Sequence, residues 1–123
     1  MSLEFYRLLH FLGIFMLFSG LGAYLLGRQQ VLKTEAVGRF PYQRTVAIIH
    51  GLGLFLILLG GFGMLARLQL GIETWVAIKL VIWLMLGGVL VLIKRVPSKM
   101  LLWWLLILVL GFCAAYLAVI KLT

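Results

Sequence analysis

The chain has 123 residues, 65% of them hydrophobic and only 11% charged, with a formal net charge of +8. A water-soluble domain of this size cannot hide that much apolar surface, so the composition excludes an ordinary globular fold and makes a bilayer the solvent. In a soluble protein the positive charge would suit nucleic acid. Here it falls mostly between apolar runs, where it sets orientation and meets anionic lipid, so no nucleic-acid partner is expected.

A membrane-crossing helix needs about 20 predominantly apolar residues. Four such spans, at about 5–27, 45–66, 75–93 and 100–120, account for the length and leave no room for a separate soluble domain. The expected fold is all-α, an integral membrane bundle of four antiparallel transmembrane helices in one domain.

The first span is too long for a signal peptide, and no small-residue cleavage site follows it, so it is expected to remain as a helix. Residues 28–44, RQQVLKTEAVGRFPYQR, form the longest connection, with Gly38 and Pro41 as breakers and room for a short interfacial helix. The second span lies within RTVAIIHGLGLFLILLGGFGMLAR, from Arg44 to Arg67. At helical spacing His50, Gly53, Ile57, Gly60 and Met64 share one face, too small and too polar to be aimed at lipid. The connection RLQLGIET contains Gly71 and suits a tight helix hairpin. The third span carries Trp75, Lys79, Trp83 and Gly87 along one stripe, each four residues apart. A basic turn, Lys94 to Lys99, leads into the fourth span, whose single cysteine, Cys113, offers neither a disulfide partner nor a Cys-based metal motif.

A weak repeat links the first two spans. His10-x-x-Gly13-x6-Gly20 matches His50-x-x-Gly53-x6-Gly60, and because the spans run in opposite directions the relation is an inverted one. Further small residues four apart, Ser19, Ala23 and Gly27 in the first span and Gly111 and Ala115 in the fourth, are ordinary helix-packing signals.

Orientation follows from the cations. The first and third connections carry Arg28, Lys33, Arg39, Arg44, Lys94, Arg95 and Lys99, against Arg7, Arg67 and Lys121 on the other side. Seven against three predicts a bacterial-type inner-membrane protein whose first and third connections are cytoplasmic, with both termini outside.

The ionisable groups inside the spans are His10, His50 and Lys79. Charge at membrane depth is costly, which makes these three the candidate cofactor-binding residues. Each also has a plain structural use: a neutral histidine can bond a neighbouring helix, and a lysine near a span end can snorkel to the headgroups. His10 lies six residues in from Glu4, His50 six in from Arg44 and Lys79 six in from Glu73, each roughly 9 Å deep. His10 and Lys79 then share the outer level, while His50 lies toward the cytoplasmic side, roughly 12 Å away in depth across a core of about 30 Å. A haem clamped by both histidines is therefore strained, whereas haem held by one histidine, or by His10 with Lys79, fits the levels.

YRLLHFLG in the first span, RTVAIIHGLGLFLILLGG in the second, WVAIKLVIWLMLGGVLVLIKR in the third and AAYLAVI in the fourth together resemble the SirB-like four-helix membrane proteins. More distantly they resemble the HemJ-type protoporphyrinogen oxidases and the copper-resistance D family. His10, His50 and Lys79 fall where those families place a first-span histidine, a second-span histidine and a third-span lysine. The resemblance implies a four-helix architecture and association with haem b or quinone. The chain departs from the SirB-like pattern after His50, where Gly51 and Leu52 stand in place of an acidic residue. It also lacks the polar residues that follow the first span in the HemJ group.

The leading expectation is a small membrane protein associated with haem or quinone, with no catalytic cycle assigned. The alternative is a non-catalytic accessory subunit, packed as a homo-oligomer or against a larger respiratory or photosynthetic complex. A small multidrug-type transporter matches in length, but no Glu or Asp lies inside a span to couple protons to a cation.

Overall fold

The computed structural model describes residues 2–34 and 38–120. Four long helices run α1 (Leu3–Lys33), α2 (Gln43–Arg67), α3 (Thr74–Arg95) and α4 (Met100–Ile120), with one 3₁₀ turn at Pro97–Lys99 leading into α4. Each is long and apolar enough to cross a membrane, and no strand occurs among the described residues. The protein is an all-α bundle of multi-pass membrane type.

α1 starts at Ser2, whose hydroxyl caps the Phe5 amide at 3.1 Å. It does not stop where its apolar residues stop. Instead of a separate interfacial helix in the first connection, α1 itself continues through Arg28-Gln29-Gln30 to Lys33. These residues are good helix formers with no breaker among them, so helicity outlasts hydropathy. At 1.5 Å per residue α1 is about 46 Å long, more than the hydrocarbon needs, so its C-terminal turns stand at headgroup level or beyond.

The closest pairing is α1 with α2, and glycine makes it. A β-carbon on Gly13 would lie 2.6 Å from the Ile57 nitrogen and 2.7 Å from the Gly53 oxygen; one on Gly53 would lie 2.6 Å from the Leu17 nitrogen and 2.8 Å from the Gly13 oxygen. One on Gly60 would lie 2.6 Å from the His10 nitrogen. Backbone therefore sits directly on backbone, the close approach that small residues permit in lipid. The His50/Gly53/Ile57/Gly60/Met64 face is turned to α1.

These contacts realise the sequence repeat. His10, Gly13 and Gly20 become His50, Gly53 and Gly60 on adding 40, and the Gly13 contacts become the Gly53 contacts under the same exchange. Gly60 sits on His10 while Gly20 sits on His50, 3.3 Å from its backbone nitrogen. The two helices thus meet about a local two-fold axis at the Gly13–Gly53 crossing.

The remaining core lies to one side of this pair: Leu17, Leu21 and Leu25 of α1 with Ile82, Leu86, Val89 and Ile93 of α3 and Ile107, Leu110 and Leu117 of α4. α4 leaves most of its surface outward, including Leu101, Val109, Phe112 and Val119, as lipid-facing residues do. The Trp103 indole N–H donates to the Val96 carbonyl at 2.8 Å and braces the α3–α4 turn.

Two small-residue signals come out differently. Ser19 and Ala23 face outward, Ser19 bonding only the Met16 carbonyl of its own helix, and of that stripe Gly27 alone is covered, by Phe40. In α4, Gly111 lies under the Phe18 ring whereas Ala115 is exposed. Spacing of four marks a helix face without saying which face meets a neighbour.

Candidate functional site

His10 is half-buried on α1, and its Nδ1–H donates across to the Ile57 carbonyl of α2 at 2.9 Å. That carbonyl has a second lone pair to offer beyond its helical bond. Gly61 makes room: a β-carbon there would already touch the ring at 3.6 Å. Donation from Nδ1 fixes the neutral tautomer and leaves the Nε2 lone pair to accept a proton or bind a metal.

Lys79, half-buried on α3, lies within electrostatic reach of the His10 imidazole. The two residues stand toward the same end of the bundle.

His50 is elsewhere. It is 3% exposed, with its backbone against Gly20 of α1 and its Nε2–H donating to the Leu86 carbonyl of α3 at 3.3 Å. His10 sits opposite Gly60 and His50 opposite Gly20, so the two rings are separated by about ten residues of α1, roughly 15 Å. They cannot be axial ligands of one iron. Nor does the shared glycine face offer a slot for a planar ring, since the places of the missing β-carbons are taken by backbone. The residues fit a haem only through a single histidine, with His10, the less buried of the two, the one a ligand could reach. Among the described residues no group of three His, Cys, Asp or Glu side chains gathers to hold a metal ion.

A tryptophan makes a third bond of the same kind. The Trp83 indole N–H, in the middle of α3, donates to the Leu54 carbonyl of α2 at 2.9 Å, and Gly87 one turn on lets the Leu54 side chain approach to within 3.3 Å of where a β-carbon would stand. A Trp this far from a helix end is poorly placed for an interfacial belt. Its N–H must find an acceptor inside the protein, and that was the available signal.

The opposite end holds a second polar assembly. Gln43, 6% exposed, accepts from the Phe40 amide at 3.3 Å and from Arg28 Nη1 at 3.4 Å, and donates to the Tyr24 hydroxyl at 3.4 Å. A cavity of about 400 Å³ opens beside it, lined by Tyr24, Arg39, Gln43, Arg44, Ala47, Leu90, Val91 and Lys94.

No family model matches the chain, and neither a curated protein nor a solved structure matches it.

Proposed function

We propose that this is a small multi-pass protein of a bacterial-type inner membrane, with its first and third connections cytoplasmic, that works as a non-catalytic accessory subunit. It would pack as a homo-oligomer or against a larger respiratory or photosynthetic complex. One observation carries the reading: three of the polar groups inside the spans hold helices together. His10, His50 and Trp83 each bond a backbone carbonyl of the neighbouring helix, and the glycine face is filled by backbone. Such bonds are worth about 0.6 kcal/mol each in membrane proteins, and they fix which helix faces meet.

A second reading, association with haem b or quinone in the manner of the SirB-like and HemJ-type families, is favoured by the Nε2 lone pair of His10 beside Lys79. A basic imidazole and a cation suit one axial iron bond with a propionate nearby, or a hydrogen bond to a quinone carbonyl.

Purification in mild detergent separates the two. The accessory reading expects a colourless protein with no extractable quinone, migrating within a defined larger assembly. A reducible Soret band or quinone at one equivalent, lost in both His10→Ala and Lys79→Met, overturns it in favour of the second.

A further inference from the structure

The cavity at the end of the bundle where the first and third connections meet is lined by three cations, Arg39, Arg44 and Lys94, and no carboxylate among the described residues lines it. We propose that it is a binding site for the headgroup of an anionic phospholipid.

The first support is that the cavity is built, not merely left between side chains. Tyr24 and Gln43 at its wall are 2% and 6% exposed, and Gln43 ties Tyr24, Arg28 and the Phe40 amide into one network. Arg28 also donates to the Gly38 carbonyl at 3.1 Å, which pins the connection that carries Arg39. Phe40 locks that segment down by filling the space over Gly27 and meeting Tyr24 edge-on at 5.5 Å. Gly38, at φ +113°, gives the chain a turn that a side chain would strain.

A second support is the surplus of donors. Tyr24 accepts from Gln43 and keeps its own O–H to donate. The guanidinium Nε of Arg28 is buried and has no hydrogen-bond partner among the described residues, one side chain away from the cavity. α2 begins here at Gln43 with Tyr42 in the left-handed region at φ +64°, no side-chain cap and no acidic residue in its first turn. The positive end of its dipole adds to the three cations.

A third observation distinguishes a lipid from a free phosphate ester. Ala47, Leu90 and Val91 make the rest of the lining apolar, and Val91 is 49% exposed on the outer face of α3. The cavity therefore continues from a cationic rim onto lipid-facing helix surface, as a glycerol backbone and its acyl chains require. Basic pockets between transmembrane helices at headgroup level are the usual form of such sites.

The test uses the full chain, purified in detergent and depleted of lipid, then given mixed micelles of phosphatidylglycerol or of phosphatidylcholine. Bound lipid is counted by native mass spectrometry. The wild-type protein is expected to retain phosphatidylglycerol preferentially, and each of Arg44→Gln and Lys94→Gln to weaken that preference about fivefold. Arg67→Gln, at the other end, is expected to leave it unchanged. The proposal is overturned by equal retention of the two lipids by wild type, by an unchanged preference in Arg44→Gln/Lys94→Gln, or by an equal loss in Arg67→Gln. Inorganic phosphate supplies the remaining arm: if millimolar phosphate displaces the lipid completely, the site is one for free phosphate and the lipid assignment fails. The wild-type comparison of lipids stands even where a variant does not fold.

Discussion

At the scale of single residues, glycines separate into those that carry the fold and those that do not, and substitution can tell them apart. Gly60 and Gly51 are both in α2 and both lie in the glycine-rich run. A β-carbon on Gly60 would press on the α1 backbone at 2.6 Å, which no rotamer change can relieve, whereas one on Gly51 would have nothing within 4 Å. Gly60→Leu is expected to destabilise by about 3 kcal/mol or more, at or beyond the upper end of overpacking costs, because a helix must move. Gly51→Leu is expected to be neutral or slightly stabilising, since leucine is the better helix former. Thermal unfolding of both variants in detergent checks this, and equal melting temperatures would mean that α1 does not sit on Gly60. The face shared by His50, Gly53 and Gly60 was legible from spacing alone, because lipid would not favour it. The partners of the two histidines were not, since a carbonyl acceptor carries no side-chain signature and any neighbouring helix offers many. The carbonyl that Trp83 meets was hidden for the same reason.

At the scale of helices, periodicity supplied the number and character of the elements, and the physics of the ends set their limits. Hydropathy falls at Arg28, but backbone hydrogen bonding does not depend on hydropathy, and α1 runs on to Lys33. Its cap is the Thr34 hydroxyl and amide, both bonded to the Gln30 carbonyl. The stripe of Ser19, Ala23 and Gly27 shows the converse difficulty. Four-residue spacing of small side chains is the same whether the stripe meets a helix or lipid, and here two of the three face outward. Ala23→Leu is therefore expected to change stability by less than about 0.5 kcal/mol, as surface substitutions do. Gly27→Leu must displace the Phe40 ring that lies over it and open the segment beneath Arg39. Chemical denaturation in mixed micelles should show a clear loss for Gly27→Leu alone; comparable losses in both would place Ala23 in a helix interface.

At the scale of the whole molecule, the inverted repeat and the charge distribution pull in different directions. The α1–α2 pair is nearly symmetric about the Gly13–Gly53 crossing, and a symmetric pair by itself has no preferred direction in a membrane. The cations break that symmetry. Arg39, Arg44 and Lys94 line one cavity, which brings the first and third connections to the same end of the bundle, and Arg28, Lys33, Arg95 and Lys99 belong to that end as well. The opposite end has Arg7 and Arg67, with Lys121 outside the described residues. Positive charge in short connections is retained on the cytoplasmic side during insertion, and it acts most strongly close to the helix ends, where these residues stand. Seven cations against three should therefore give one orientation rather than a mixture, with Ser2 and Ile120 at the outer surface. A reporter that functions only in the cytoplasm, fused after Thr123, is expected to be silent, and the same reporter placed in the connection near Gly38 to be active. Replacing Arg39, Arg44, Lys94 and Arg95 together with glutamine would leave three cations on each side. The C-terminal fusion should then begin to report, because little else in the sequence distinguishes the two ends. A strong signal from the unaltered chain at Thr123 would reverse the orientation and move the proposed lipid site to the outer leaflet.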